Sequence, residues 1–111
     1  MSKLKSIHVV SEYHPRPKWR YEHEGEGSGE VFRRDFLAPD LREYDHVEVD
    51  LTGYNRYGPS FISEAFGGLV REEDFSLLDL KKKLTIRHDK LSSIEGASWA
   101  EIEKAERETN S

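Results

Sequence analysis

The side chains able to do chemistry are scattered along the chain. His8, His14, His23, His46 and His88 fall in different expected elements. None forms a helical i, i+4 pair and no HExxH is present, so a metal site would have to be assembled from distant imidazoles and carboxylates. The chain has no cysteine, which excludes disulfides and thiolate metal ligands and fits a reducing cytoplasm. It has no GxSxG elbow, and its acidic residues show no pairing that marks a general acid and base. The residues therefore point away from an enzyme and imply neither cofactor nor metal.

Three stretches raise the question of anion binding. Gly25-Glu26-Gly27-Ser28-Gly29 precedes an expected helix, as phosphate cradles do. It lacks a P-loop lysine, and Glu24, Glu26 and Glu30 would repel an anion. The structural reading has Ser28 as the helix N-cap and the glycines as the turn. Arg16, Lys18 and Arg20 interleave with Trp19 and Tyr21, a pattern that can stack on and pair with nucleic acid. Glu22, Glu24 and Glu26 follow directly and would cancel the field, leaving a loop folded over the core with Trp19 packed beneath it. Lys81-Lys82-Lys83 suits the C-terminus of a short helix, where the dipole favours cations.

The remaining reactive group is a serine in the stretch from Val47 to Arg71, around which the chain is organised. Val47 to Leu51 alternates apolar and acidic residues, the period of a strand. Thr52 to Gly58 is rich in turn residues. Pro59 then suits the first helical position, where its missing N–H costs nothing. Phe61, Ile62, Ala65, Phe66, Leu69 and Val70 form an apolar stripe at helical spacing. Ser60, Ser63, Glu64, Gly67 and Arg71 fall on the polar side. An exposed serine on the first turn is either a side chain that satisfies a first-turn N–H or a site where added phosphate would be favoured by the helix dipole.

The other elements follow in order. Leu4 to Val10 reads as a strand with Ile7 and Val9 inward, and Ser11 to Gly27 as a loop that Pro15 and Pro17 keep from being helical. A helix from about Gly29 places Phe32, Phe36, Leu37 and Leu41 on one side, with Arg33, Arg34, Asp35 and Arg42 largely on the other. Pro39 predicts a kink or a break within it. Gly67-Gly68 marks a helix cap or the close approach of another backbone. Ser76 and Asp79 have capping-box spacing for a short helix, and Leu84 to His88 is a further strand. Ser92 with Glu95 and Ser98 with Glu101 predict two short helices broken near Gly96, with Trp99 and Ile102 as anchors. The domain spans residues 1–106, and 107–111 is a frayed tail.

With 111 residues and one modest core, the chain is a single domain. Five Phe, five Tyr and two Trp supply bulky core candidates. No apolar run reaches the length of a membrane span, and the N-terminal stretch lacks a secretory h-region. A net charge of −5 argues against a general nucleic-acid binder and permits docking on a basic protein.

The run from Asp50 through Gly58-Pro59-Ser60-Phe61 to Glu64-Ala65-Phe66-Gly67-Gly68-Leu69, with the SGExFR-like segment Ser28-Gly29-Glu30-Val31-Phe32-Arg33, resembles the STAS-like domain family of unknown function. That family is similar to the STAS domains of anti-sigma-factor antagonists, and the resemblance covers roughly residues 7–86. It implies a prokaryotic regulatory module in partner switching. In such systems a histidine-kinase-like ATPase phosphorylates a serine at the start of the helix after the central strand, the position that Ser60 occupies. Gly58-Pro59-Ser60-Phe61 stands where phosphorylated STAS domains carry Asp-Ser-Ser-Gly.

The expectation is a compact α/β STAS-like domain, with a small mixed sheet of about four strands and helices mainly on one face. Its function would be non-enzymatic protein binding in the cytoplasm, through Tyr54, Asn55, Arg56, Tyr57, Ser60, Ser63 and Glu64. The histidine-kinase-like ATPase is the partner the resemblance implies. The alternative is a small acidic inhibitor, of phage or mobile-element type, docking on the basic groove of a nucleic-acid enzyme.

Overall fold

The computed structural model describes residues 3–110. Three strands, β1 (Leu4–His8), β2 (His46–Asp50) and β3 (Leu84–Arg87), form one sheet in the order β1-β2-β3. Both pairings are parallel, with Ile7 beside Val49 and Val49 beside Ile86. The expected mixed sheet of about four strands is thus a three-stranded parallel one among the described residues. The reason lies in the connections: each joins two strands through helix, the crossover that parallel neighbours require.

Helix α1 covers residues 29–43, α2 residues 59–71, α3 Leu77–Lys83 and α4 Ser92–Thr109. Period-two burial of the strands builds the core floor, where Ile7, Val47, Val49, Leu84 and Ile86 are buried. Phe32, Phe61 and Phe66 from the first two helices close over it, fully or almost fully buried. Each such side chain contributes about 1.5–3 kcal/mol. Ile102 and Ala105 of α4 complete the same cluster.

Several expectations are corrected. Helix α1 is not divided at Pro39. Its middle turn, Phe32–Leu37, is π-helical, and the Ala38 N–H reaches back five residues to the Arg33 carbonyl. This widened turn lies immediately before the proline, whose ring needs room against the preceding turn and which has no N–H to offer. Strand β1 stops at His8, because Val9–Tyr13 folds into a single π-turn closed by the His14 N–H on the Val9 carbonyl. Val9 still points into the core. Helix α4 runs unbroken through Gly96 to Thr109. Ser98 is not a cap but a buried mid-helix residue whose hydroxyl donates to the Ile94 carbonyl at 2.8 Å. Burial of Ile94, Ile102 and Ala105 along one face outweighs the helix cost of a single exposed glycine.

Candidate functional site

Arg33, expected on the polar side of α1, is buried beneath α2. Its Nη1 donates to the Glu64 carboxylate at 2.6 Å and to the Glu64 carbonyl at 2.8 Å, while Nε donates to Glu73 at 3.1 Å. Glu73 also accepts from Arg42 at 2.8 Å, so the charges are shared over a small network. Two glycines make the insertion possible. A Cβ at Gly68 would collide with the Arg33 guanidinium. One at Gly29 would lie 2.6 Å from the Phe61 carbonyl oxygen, which fixes the close crossing of α1 on α2. Gly67 packs on the α4 backbone, where a Cβ would be 3.2 Å from the Glu101 carbonyl. Ser-Gly-Glu-Val-Phe-Arg and Glu-Ala-Phe-Gly-Gly are therefore the two halves of one packed joint.

The start of α1 offers no anion cradle. The N–H groups of Gly29 and Glu30 donate to the Trp19 and Arg20 carbonyls, both at 3.0 Å, and the Ser28 hydroxyl accepts from the Val31 N–H at 3.2 Å. Ser28 is the expected N-cap. Trp19 turns its carbonyl inward only by adopting a φ of 74°, a region that costs a non-glycine residue roughly 1 kcal/mol. Its indole is consequently not packed beneath the loop but 39% exposed.

Helix α2 begins differently. Gly58 is its N-cap residue and provides no side chain, and Pro59 is the first helical residue as expected. Ser60 is exposed, and its hydroxyl makes no hydrogen bond to the described residues. It is not the capping group that its position allowed. No histidine or carboxylate among the described residues is hydrogen-bonded to it, so nothing there withdraws its proton.

The loop before it, residues 51–58, lies at the carboxyl end of the central strand, where open parallel sheets present their ligand crevices. Tyr57 packs on Phe61 and donates to the Leu51 carbonyl at 2.9 Å. Burial pushes its phenol far above its ordinary value, with the Asp50 carboxylate adding to the shift. Tyr54 is half-buried, edge-on to Tyr57 at 5.1 Å between ring centroids. Asn55 and Arg56 are exposed. His88 is buried beneath this loop, 2.9 Å from the Tyr54 carbonyl.

The expected surface therefore separates into two parts. Tyr54, Arg56 and Ser60 line one cleft at the loop and first helical turn, with Asn55 on the same loop but lining a different pocket. Ser63 accepts from Arg71 through its carbonyl at 2.9 Å, and Glu64 is 7% exposed in the Arg33 pair. The helical period sets Ser63 and Glu64 opposite the apolar stripe of α2; it could not reveal that α1 brings a cation to that side and buries Glu64.

At the base of the loop, Asp50 is buried to 7% exposure. Burial raises its carboxyl, but the Thr52 N–H at 3.0 Å, Arg87 and His8 outweigh it and hold the carboxyl below the usual range. His14 and His23 line a separate cavity with Glu22 and Glu26. Among the described residues, no group of three or more histidines and carboxylates is placed to hold a metal ion. No helix among them is long and apolar enough to cross a membrane.

The chain matches the STAS-like domain of unknown function over residues 28–93, and it belongs to that family. No curated protein and no solved structure matches it significantly.

Proposed function

With membership of the STAS-like family as the premise, we propose that this chain is a cytoplasmic, non-enzymatic regulatory module that binds a partner protein through the Tyr54–Ser60 surface. Ser60 is its switch. A histidine-kinase-like ATPase serves as partner and kinase, transferring the terminal phosphate of ATP to the Ser60 hydroxyl and releasing ADP.

The observation that carries this reading is the exposed Ser60 hydroxyl on the first turn of α2, without a hydrogen bond to the described residues, in a cleft shared with Arg56, which enters no ion pair with them. A phosphate there adds about −1.5 to −2 charges at a helix N-terminus, where they are locally favoured. The same charge changes any interface that had accommodated a neutral hydroxyl. Ser63 and Glu64, expected as part of the surface, are engaged by Arg71 and Arg33 instead.

Phosphopeptide mapping of protein isolated from its host, alongside pull-downs with wild type and Ser60→Asp, tests the proposal. The expected result is phosphate on Ser60 and a partner retained by wild type but lost by Ser60→Asp. Unmodified Ser60 together with the same partner on both baits would overturn it.

A further inference from the structure

Two segments distant in sequence, one basic and one carrying Arg56, line a single cleft of about 530 Å³. One wall carries Lys18, Trp19 and Arg20; the other carries Tyr54, Arg56 and Ser60. A separate neighbouring cavity, sharing Lys18, Tyr54 and Arg56, adds Arg16. Arg16 and Arg56 enter no ion pair with the described residues. Lys18 lies over the Trp19 ring at 4.5 Å, and Arg20 is ion-paired with the Glu64 carboxylate at 3.7 Å.

Of the acids that follow these cations in sequence, only Glu24 lines the cleft, against Lys18, Arg20 and Arg56. Glu22 pairs with Arg34 at 3.1 Å and turns, with Glu26, toward a different cavity. Glu24 reaches the cleft, but its carboxylate accepts the Arg20 and Tyr21 N–H groups at 3.2 and 2.8 Å. A protein of net charge −5 thus concentrates positive charge in one concave place, where field lines are focused.

We infer that this cleft receives an acidic peptide segment of the partner protein. The inference rests on the protein-binding reading above and adds the chemistry of what is bound. Guanidinium forks such as Arg16 and Arg56 take carboxylates in bidentate pairs, and Pro17 and Pro59 give the flanking side chains apolar walls.

A nucleic-acid strand fits less well. Base stacking needs an open ring face. Lys18 covers one face of Trp19, and Gly25 sits so close that a Cβ there would strike the indole. Ser60 lies within the cleft, so a negative charge on it competes with the segment for the same cations.

Fluorescein-labelled deca-glutamate and an equally long oligothymidylate, titrated by anisotropy, test the inference. Wild type is expected to bind deca-glutamate better than oligothymidylate, and to lose it on going from about 0.05 to 0.5 M salt. Lys18→Glu/Arg56→Glu is expected to weaken deca-glutamate about tenfold or more. Circular-dichroism melts establish that the variant is folded, and Arg16→Gln/Arg56→Gln replaces it if it is not.

Absence of deca-glutamate binding, binding indifferent to both cleft variants, or tighter binding of oligothymidylate would each overturn the inference. Ser60→Asp separates the two readings. Weaker deca-glutamate binding in this variant supports both, whereas unchanged binding that the cleft variants abolish leaves the cleft standing and removes Ser60 as its switch.

Discussion

Arg33 is the residue through which two distant segments become one joint, and its neighbours define what each substitution must do. Glu64→Ala leaves a buried guanidinium with only Glu73 as its carboxylate. Breaking a buried pair from one side typically costs about 3–5 kcal/mol, and urea denaturation should place Glu64→Ala toward the lower end because Glu73 remains. Gly68→Ala separates sterics from helix propensity. In wild type the added Cβ meets the buried Arg33 guanidinium and should destabilise by about 1–3 kcal/mol. In an Arg33→Ala background the obstruction is gone, and the same change should be stabilising by up to about 1 kcal/mol, the ordinary helix preference for alanine. A cost that persists in both backgrounds would mean that Gly68 is required for something other than the guanidinium.

At the scale of elements, the decisive contrast is between glycines that look alike in sequence. A Cβ at Gly96 of α4 would stand in open space, with nothing within 4 Å, whereas one at Gly29 of α1 would meet the Phe61 carbonyl. Gly96→Ala should therefore raise stability by about 1 kcal/mol, and Gly29→Ala should lower it, as read by thermal melts. This contrast also separates what was legible in the sequence from what was not. Local signals translated directly: the alternation in β2 and β3, Pro59 at the start of α2, the Ser28 cap, and the Ser76–Asp79 capping box. Signals whose meaning depends on another element did not. Gly96 resembled a break because its helix partners lie elsewhere in the fold, and Arg33 resembled a surface residue because the Glu64 that buries it is on a different helix. The candidate site divides in the same way. Ser60 on an exposed first turn followed from the Gly-Pro-Ser spacing, whereas the cleft opposite it needed the fold to bring Lys18 and Arg20 to Arg56.

For the whole molecule, pH should act from both sides through groups at opposite ends of the titration range. Asp50 is held below the usual carboxyl value, so its contribution is present above the unfolded value of about 3.9 and is lost as pH falls through its folded value. Asp35, held down by Arg34, acts in the same direction, while burial raises Asp40 and opposes it. Tyr57 and Tyr13 supply the other arm. Burial raises both phenols; the Asp50 charge adds to the shift at Tyr57, while the Ser28 side chain only partly offsets it at Tyr13. A raised phenol stabilises the fold fully below the unfolded value of about 10, and that stability is lost as pH rises from there toward the folded value. Denaturation free energy plotted against pH should therefore fall below about pH 4 and fall again above about pH 10. Asp50→Asn should flatten the acid limb, where one such group contributes a slope of at most about 1.4 kcal/mol per pH unit. Tyr57→Phe should flatten the alkaline limb while lowering the plateau by about 1 kcal/mol, through loss of the hydrogen bond to Leu51. An acid limb unchanged in Asp50→Asn would show that the Asp50 charge, held by Thr52, Arg87 and His8, is not what the acid limb reports.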